Sequence, residues 1–337
     1  AGFMGSNFVR YALKQDPRVT ITTVDALTYA GNRENLKGVP GGRHRFVRGD
    51  ICDLALMKKL MTQAEYAVNF AAQTHVDRSI HGDSAEFMRT NVLGVHTLME
   101  ALRRSSRVKK MVHISTDEVW GDLPLQSKKK FSERSPFAPN SPYAASKAAG
   151  DLLIRSYVKT HGVPVVVSHA VNNYGPRQFP EKLIPFFTLR AARDQSVPLY
   201  GDGTNVREWI HVDDHSAAIL TLLAKAAPGS VYGISSGQSC ASVEMARRIL
   251  DILGKSRTLI TFVSDRPGHD RRYAVDASKL RRLGWQPRYS LEKDLRRVVE
   301  WYIENSAWAR RVLEKQSADI NPHLRSALKR YPHREKH

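Results

Sequence analysis

The chain has 337 residues, with 52 Lys plus Arg against 33 Asp plus Glu, a formal net charge of +19, 42% hydrophobic residues and 25% charged residues. That length and balance give ample core for one large α/β unit or two modest domains, and exclude collagen-like, coiled-coil and wholly disordered chains. Two cysteines, Cys52 and Cys240, are too few for a disulfide framework or a zinc site of their own, which points to a reducing, cytoplasmic setting.

No run approaches the roughly 18 uninterrupted apolar residues of a membrane span, so no membrane partner is expected. The excess positive charge is scattered, apart from Lys128 to Lys130 and the stretch from Arg310 to His337, which has 8 Lys/Arg against 3 Asp/Glu. Neither a zinc-finger, an RRM-like nor a basic-zipper pattern accompanies it. Nucleic acid is therefore not the expected partner.

In chain order, Ala1-Gly2-Phe3-Met4-Gly5 runs into a helical pattern through Phe8, Val9, Ala12 and Leu13. Val19 to Val24 reads as a strand, followed by a segment Arg45 to Gly49. A helix from Asp53 to Met61 comes next, then a strand from Ala67 to Ala72. A helix spans Ala85 to Arg104, with Val92, Val95, Met99 and Leu102 at helical spacing. Strands follow at Lys110 to Ser115 and Val163 to Ser168. Strand-helix-strand repetition predicts a doubly wound parallel sheet of Rossmann type. After Tyr174, Pro and Gly punctuate shorter segments, with helices at Ser242 to Leu253 and Leu291 to Glu304. This predicts a dinucleotide-binding domain over 1–173 and a smaller α/β substrate domain over 174–305, some of whose segments return to the first sheet. The basic tail, 306–337, reads as a solvated extension.

Gly2 and Gly5, three apart at a helix start, let a backbone approach a pyrophosphate. Alone, the pair fits an ordinary helix start equally well. Asp25, twenty residues after Gly5, stands where a carboxylate accepts bonds from an adenosine ribose and repels a 2′-phosphate, which favours NAD over NADP. Asp50 is placed to reach the adenine, and also fits a turn or cap. The strand expected before Ala1 is not in the sequence, which therefore reads as part of a longer protein lacking its first strand.

Three constellations carry the chemistry. Tyr143 and Lys147 are four apart on one helix face, where an ammonium lowers a phenol pKa so that Tyr can accept a proton. Small residues around them (Ala144, Ala145, Ser146, Ala148, Ala149, Gly150) allow close approach. Ser115-Thr116-Asp117-Glu118 follows an apolar strand, at the strand ends where such sheets place ligands. Adjacent carboxylates there can serve as an acid and a base; the same residues also fit a helix cap with first-turn acids. Asn172, Lys182, Tyr200, Arg207, Arg266 and His269 form a polar and cationic set suited to a second nucleotide. No metal-ligand spacing is visible.

The chain resembles the extended short-chain dehydrogenase/reductase superfamily over about residues 1 to 305, and within it the dTDP-glucose 4,6-dehydratases. The resemblance is carried by ordered strings: Asp25 to Asn32, Gly49 to Asp53, His75 to Ile80, Arg89 to Asn91, Ser115 to Val119 and Pro139 to Tyr143. Asn172 to Pro176, Phe179 to Pro185, His211 to His215 and Asp265 to Tyr273 continue the series. It implies tightly held NAD and a redox-neutral loss of water from dTDP-glucose. Tyr143, helped by Lys147 and Thr116, takes the proton of the sugar 4-hydroxyl as hydride leaves C4. Glu118 removes the C5 proton, Asp117 protonates the departing 6-hydroxyl, and hydride returns at C6.

The resemblance also places Gly2, Phe3, Met4, Gly5, Asp25, Ala26, Leu27, Thr28, Asp50, Ile51, Phe70, Ala71, Ala72, Thr74, Thr90, Ser115, Tyr143, Lys147 and Asn173 beside NAD. It places Thr74, Thr116, Asn172, Lys182, Leu183, Tyr200, Arg207, Ser242, Arg266 and His269 beside the nucleotide sugar. It implies a homodimer built through the helices Ala85 to Arg104 and Tyr143 to Thr160. Departures from the usual text are Gln73-Thr74, Trp120, Ala170-Val171, Tyr232 to Ser236 and Ser242; none removes a catalytic group. A nucleotide-sugar 4-epimerase or a UDP-glucuronate decarboxylase shares Tyr/Lys and NAD but does not need the two carboxylates. A non-catalytic dinucleotide-binding protein could dispense with Tyr143 and Lys147 as well.

Overall fold

The structure is a computed structural model that describes residues 1–314. In the first half, α1 (Phe3–Gln15) is followed by β1 (Ile21–Asp25), β2 (His44–Arg48), α2 (Leu54–Met61) and β3 (Tyr66–Asn69). Then come α3 (Val76–His81), α4 (Ala85–Met88), α5 (Gly94–Leu102), β4 (Lys110–Thr116), α6 (Pro142–His161) and β5 (Val165–Ala170). The second half runs β6 (Asn172–Tyr174), α7 (Leu183–Ala191), β7 (Val197–Tyr200), β8 (Val206–His211), α8 (Val212–Lys225) and β9 (Val231–Ile234). It ends with β10 (Gln238–Ala241), α9 (Ser242–Leu253), β11 (Ile260–Val263), α10 (Ser278–Arg281), α11 (Leu291–Glu304) and α12 (Ser306–Glu314).

The molecule is α/β with parallel sheets of Rossmann type. β4 and β5 are its spine. They pair in parallel from Met111 opposite Val165 to Thr116 opposite Ala170. Every residue of β5 is buried, and so is β4 after Lys110. That explains the continuous apolar text of both strands, since each has helices on both faces. β3 adds on one side and β9 on the other, giving the order β3-β4-β5-β9. The expected single sheet is met in two blocks: β1 and β2 pair in parallel with each other, and no described strand hydrogen-bonds β1 to β3.

The smaller region carries the strands β10-β8-β6 and β11-β7. Its own core gathers Tyr174, Phe187, Trp209, Met245, Leu295 and Tyr302.

Several boundaries move for local reasons. The strand expected to begin at Val19 begins at Ile21 and runs through Asp25. The strand expected to reach Ala72 stops at Asn69, whose side-chain oxygen accepts the Ala71 N–H at 3.1 Å and turns the chain. The long helix from Ala85 is broken by a wide π-turn at Arg89–Leu93. There the Asn91 amide accepts the Gln73 N–H at 2.9 Å and donates to Ser146 Oγ at 2.8 Å. Gly150 on α6 faces this turn, where a Cβ would lie 2.6 Å from the Asn91 carbonyl oxygen.

The tail also differs from the solvated extension expected. Ser306–Glu314 is a helix that buries Trp308, Ala309 and Val312. Trp308 Nε1–H donates to Asn35 Oδ1 at 3.1 Å, and Arg311 pairs with Glu34 at 2.9 Å. The basic stretch beyond Glu314 lies outside the described residues. Trp308→Ala is expected to cost about 3–5 kcal/mol, the range for deleting a buried tryptophan, while Trp308→Phe gives up little beyond one hydrogen bond, about 1 kcal/mol. Urea midpoints at constant slope read the difference.

Candidate active site

β4 delivers the central residues at its carboxyl end. Ser115 and Thr116 close the strand and a 3₁₀ turn begins at Asp117. Thr116 caps that turn: its Oγ1 accepts the Glu118 N–H at 3.3 Å and donates to Asp117 Oδ1 at 3.3 Å. The cap alternative is thus realised, but it leaves one fact over. First-turn acids are cheap when solvated, whereas Asp117 is 1% exposed and its Oδ2 has no hydrogen-bond partner among the described residues. A buried orphan oxygen costs free energy that a cap does not return. Burial, and then the Glu118 charge, push the Asp117 carboxyl well above the usual range. Glu118 is also raised by burial, with Arg266 and Arg207 opposing. The two adjacent acids therefore differ in their hold on a proton.

α6 brings in the phenol and the amine. Ser141 Oγ caps the helix by accepting the Ala144 N–H at 3.1 Å, Pro142 stands in the first turn, and Gly162 ends it at φ +64°. Tyr143 and Lys147 come one above the other on the buried face. Contrary to the lowering expected from Lys147, the Tyr143 phenol is driven well above its ordinary value by burial and by Glu118, with only the Thr116 hydroxyl opposing among the leading influences. Burial lowers the Lys147 ammonium to about 8, and the Asp151 charge acts against that.

The residues expected beside NAD fall along one line. Gly2 caps α1 with no side-chain bond, and the first turn carries no acid. A Cβ added at Gly2 or Gly5 meets nothing closer than 3.6 Å, so no protein contact requires glycine at either place. The uncapped helix start, with Phe3 and Met4, has room and donors for a pyrophosphate. Asp25 ends β1; its carboxylate accepts the Leu27 N–H at 2.6 Å. Ala26, Leu27 and Thr28 follow it in the loop, with Leu27 at φ +57°. The Phe70 ring lies 5.3 Å from that of Phe8, and Ala71, Ala72 and Thr74 line the turn after β3. Thr74 Oγ1 is 3.2 Å from the Tyr29 hydroxyl. Thr90 sits in the π-turn. Asn173 donates to the Val171 carbonyl at 3.0 Å, while its buried Oδ1 has no partner among the described residues. This donor set fits a dinucleotide.

Two of these residues are already engaged. Asp50 accepts the Cys52 N–H at 2.9 Å and pairs with Arg89 at 2.8 Å, so its turn reading is real. Ile51 packs into the α2–α5 core, against the face of Gly94.

From the smaller region, cations converge on the carboxylates. The charges of Arg266, Arg207 and Lys182 all reach Glu118. Arg207 donates to the Asp270 carbonyl at 2.8 Å and lies 4.3 Å over the Tyr273 ring. Arg266 and the Tyr200 hydroxyl bond opposite oxygens of Asp77, at 3.3 and 3.1 Å. His269 pairs with Asp265, and its ring lies 6.0 Å from that of Tyr200. Lys182 stands immediately before α7, and Asn172 begins β6. Leu183 packs on the local core instead. The Ser242 N–H and hydroxyl are both spent on the Asn205 carbonyl, at 3.0 and 3.3 Å.

The site residues missed by sequence reasoning are the supports. Asp77 ties Tyr200 to Arg266, and its place within His75 to Ile80 was the available signal. Asn205 and Glu208 carry no text signal of their own. Glu208 is buried and adds to the upward push on Asp117. The departure at Gly233 is absorbed by packing: a Cβ there would lie 2.6 Å from Val275 Cγ1.

Comparison with known proteins agrees with this geometry. A family model described as GDP-mannose 4,6 dehydratase matches residues 1–298. The chain is 48% identical over 304 residues to the low-salt glycan biosynthesis protein Agl12 of Haloferax volcanii, covering 90% of this chain and 96% of that one. It is 48% identical over 314 residues to a dTDP-glucose 4,6-dehydratase of Streptomyces niveus, covering 91% and 92%. Among solved structures, a Streptomyces venezuelae dTDP-glucose 4,6-dehydratase with NAD and TYD bound superimposes with a TM-score of 0.88. It is 44% identical, over 93% of this chain and 97% of that one.

Proposed function

The chain belongs to the nucleotide-sugar 4,6-dehydratase family whose model it matches over residues 1–298, and we propose that it converts dTDP-glucose to dTDP-4-keto-6-deoxyglucose with loss of water. Bound NAD supplies the hydride acceptor and donor for this redox-neutral sequence. The observation that carries the reading is the pair of buried Asp117 and half-buried Glu118 beside Tyr143 and Lys147. Epimerases and decarboxylases need the Tyr and Lys alone, and a binding protein needs neither.

Tyr143 takes the proton of the 4-hydroxyl, with Lys147 and Thr116 holding the phenolate. A ketone at C4 acidifies C5, and Glu118 removes that proton. Asp117, the acid raised further, keeps its own proton and gives it to the 6-hydroxyl as water leaves. Lys182, Arg207 and Arg266 supply the positive field that a diphosphate needs.

The deciding experiment incubates the purified protein with dTDP-glucose in deuterated water and follows mass and proton spectra. Loss of one water with deuterium at C5 supports the reading. Unchanged mass with inversion at C4, on dTDP-glucose or UDP-glucose, overturns it in favour of an epimerase. UDP-glucose, which keeps the sugar and changes the nucleoside, reads the base preference when run in parallel.

The enzyme is further proposed to act as a cytoplasmic homodimer. Met88 (43% exposed), Leu93 (52%) and Leu152 (55%) are large apolar side chains on the α4–α5 and α6 helices, the two expected to form a four-helix contact. Both cysteines are free, and no described helix is long and apolar enough to cross a membrane. Leu93→Glu with Leu152→Glu is expected to turn a dimer into a monomer in light scattering after gel filtration. A wild-type monomer removes the proposal.

A further inference from the structure

Beneath Tyr143 and Lys147 lies a cluster of buried ionisable groups that the reaction above does not use. His113 on β4, Asp151 on α6 and His169 on β5 are 0%, 5% and 2% exposed. Asp151 Oδ2 accepts the Ser115 hydroxyl at 2.6 Å and lies 2.9 Å from His169 Nε2. Asp151 Oδ1 has no hydrogen-bond partner among the described residues and lies 3.8 Å from His113 Nε2. The same Nε2 is 3.3 Å from Lys147 Nζ, which donates to the Ile114 carbonyl at 2.8 Å. On the opposite edge of the ring, Nδ1 is 3.1 Å from Asn69 Nδ2. The rings of Trp120 and Phe137 flank His169 at 4.5 and 6.0 Å.

Counting donors fixes the protons. Asn69 Oδ1 is occupied by the Ala71 N–H, so the amide orientation is set and Nδ2 donates towards His113. His113 Nδ1 must then accept. A neutral imidazole with an accepting Nδ1 carries its proton on Nε2. Burial, then the charge of Lys147, holds this imidazole neutral by lowering it to about 3. Its N–H is therefore aimed at an amine and a carboxylate. Facing an ammonium it is a donor against a donor; facing the free amine it is satisfied, while Asp151 Oδ1, at 3.8 Å, is too far to accept it.

We propose that His113 is a positioning residue for the proton transfer at Tyr143: locked by Asn69 with its proton on Nε2, it opposes the charged form of Lys147 and links that charge to the Asp151–His169 pair. This rests on reading Tyr143 and Lys147 as the proton-transfer pair. The titratable groups facing the His113 ring are Lys147 and Asp151 from α6 and His169 from β5; β3 contributes only the Asn69 amide. Two neighbours thus pull Lys147 in opposite directions. The Asp151 anion favours the ammonium, and the His113 N–H disfavours it. Ser115, expected beside the cofactor, is turned inward to brace Asp151.

The test follows the first half-reaction, NADH appearance in a single turnover of dTDP-glucose by the NAD-loaded enzyme, across pH. His113→Leu removes the opposing N–H and is expected to move the basic limb up by about one pH unit. Asp151→Asn removes the anion and moves it down by about one, each shift being about tenfold in rate at a fixed pH on the limb. Shifts in the same direction, or none, overturn the proposal; a purely structural role lowers the rate without opposed shifts. Neutron diffraction from the wild-type holoenzyme reads the proton without a variant. A deuteron on Nε2 of His113 and none on Nδ1 is expected, and the reverse overturns the proposal. That reading does not depend on turnover, so absence of dehydration sinks the proposed reaction while the tautomer stands or falls separately.

Discussion

Asp117→Asn is expected to abolish water loss while leaving C5 exchange with solvent in place, and Glu118→Gln is expected to abolish both. The two side chains are adjacent, and each substitution is near-isosteric, so a difference between them reports chemistry rather than packing. An amide at position 117 has no acidic proton to give the 6-hydroxyl, but Glu118 can still take one from C5. An amide at position 118 cannot take that proton, so elimination never begins. Loss of a positioned acid or base costs about 10²–10⁴ in rate. Both variants should still form NADH on mixing with dTDP-glucose, since the proposed oxidation at C4 uses Tyr143.

The pH dependence follows from the same pair. In the proposed roles Asp117 must be protonated, so its contribution is lost as pH rises through its raised value; Glu118 must be ionised, so its contribution is lost as pH falls through its own. The pair titrates as a unit, and the assignment of acid and base rests on Asp117 being the more deeply buried of the two. Equal loss of C5 exchange in both variants removes this division of labour.

How much of this was legible in the text depends on how local each signal is. β4 and β5 were readable because a strand buried on both faces must be continuously apolar, and α9 and α11 because a one-sided helix repeats its apolar face. Asp117, Glu118, Tyr143 and Lys147 were readable because spacing along one element is also spacing in the site. The π-turn at Arg89–Leu93 was not, because it is decided by Asn91 reaching Gln73 and Ser146 across two other elements. The helix after Ser306 was missed because its apolar residues are few, and their partner Asn35 stands 273 residues away. Asp151 and His113 lay unremarked for the same reason: a buried carboxylate or imidazole has no pattern in sequence, and only the fold sets it against Lys147. Asp50 shows the converse, since a residue can be in the expected place and already be held by Arg89.

Tyr143→Phe and Lys147→Met are expected to stop the first oxidation for different reasons, and stability separates them. Tyr143→Phe removes one hydroxyl from a ring that keeps its edge contact with Phe87 at 6.4 Å. It should lose about 10²–10⁴ in the rate of NADH formation and change stability by no more than about 1 kcal/mol. Lys147 is 3% exposed, and its ammonium is held at about 8 against an ordinary value of 10.5. The unfolded chain therefore binds a proton between these values that the folded chain does not. Folded stability from this group is lowest below about pH 8 and recovers fully above 10.5, an increment of about 3 kcal/mol. Lys147→Met has no such group, so wild type should gain about that much on the variant between pH 7 and 10.5, measured as the difference of their urea unfolding free energies. Over the same interval the wild-type rate should fall, because the ammonium proposed to steady the Tyr143 phenolate is lost as pH rises through about 8. Activity and stability thus move oppositely on one proton. A flat difference in unfolding free energy shows that Lys147 is not held out of its charged form, and the burial argument for its pKa then fails with it.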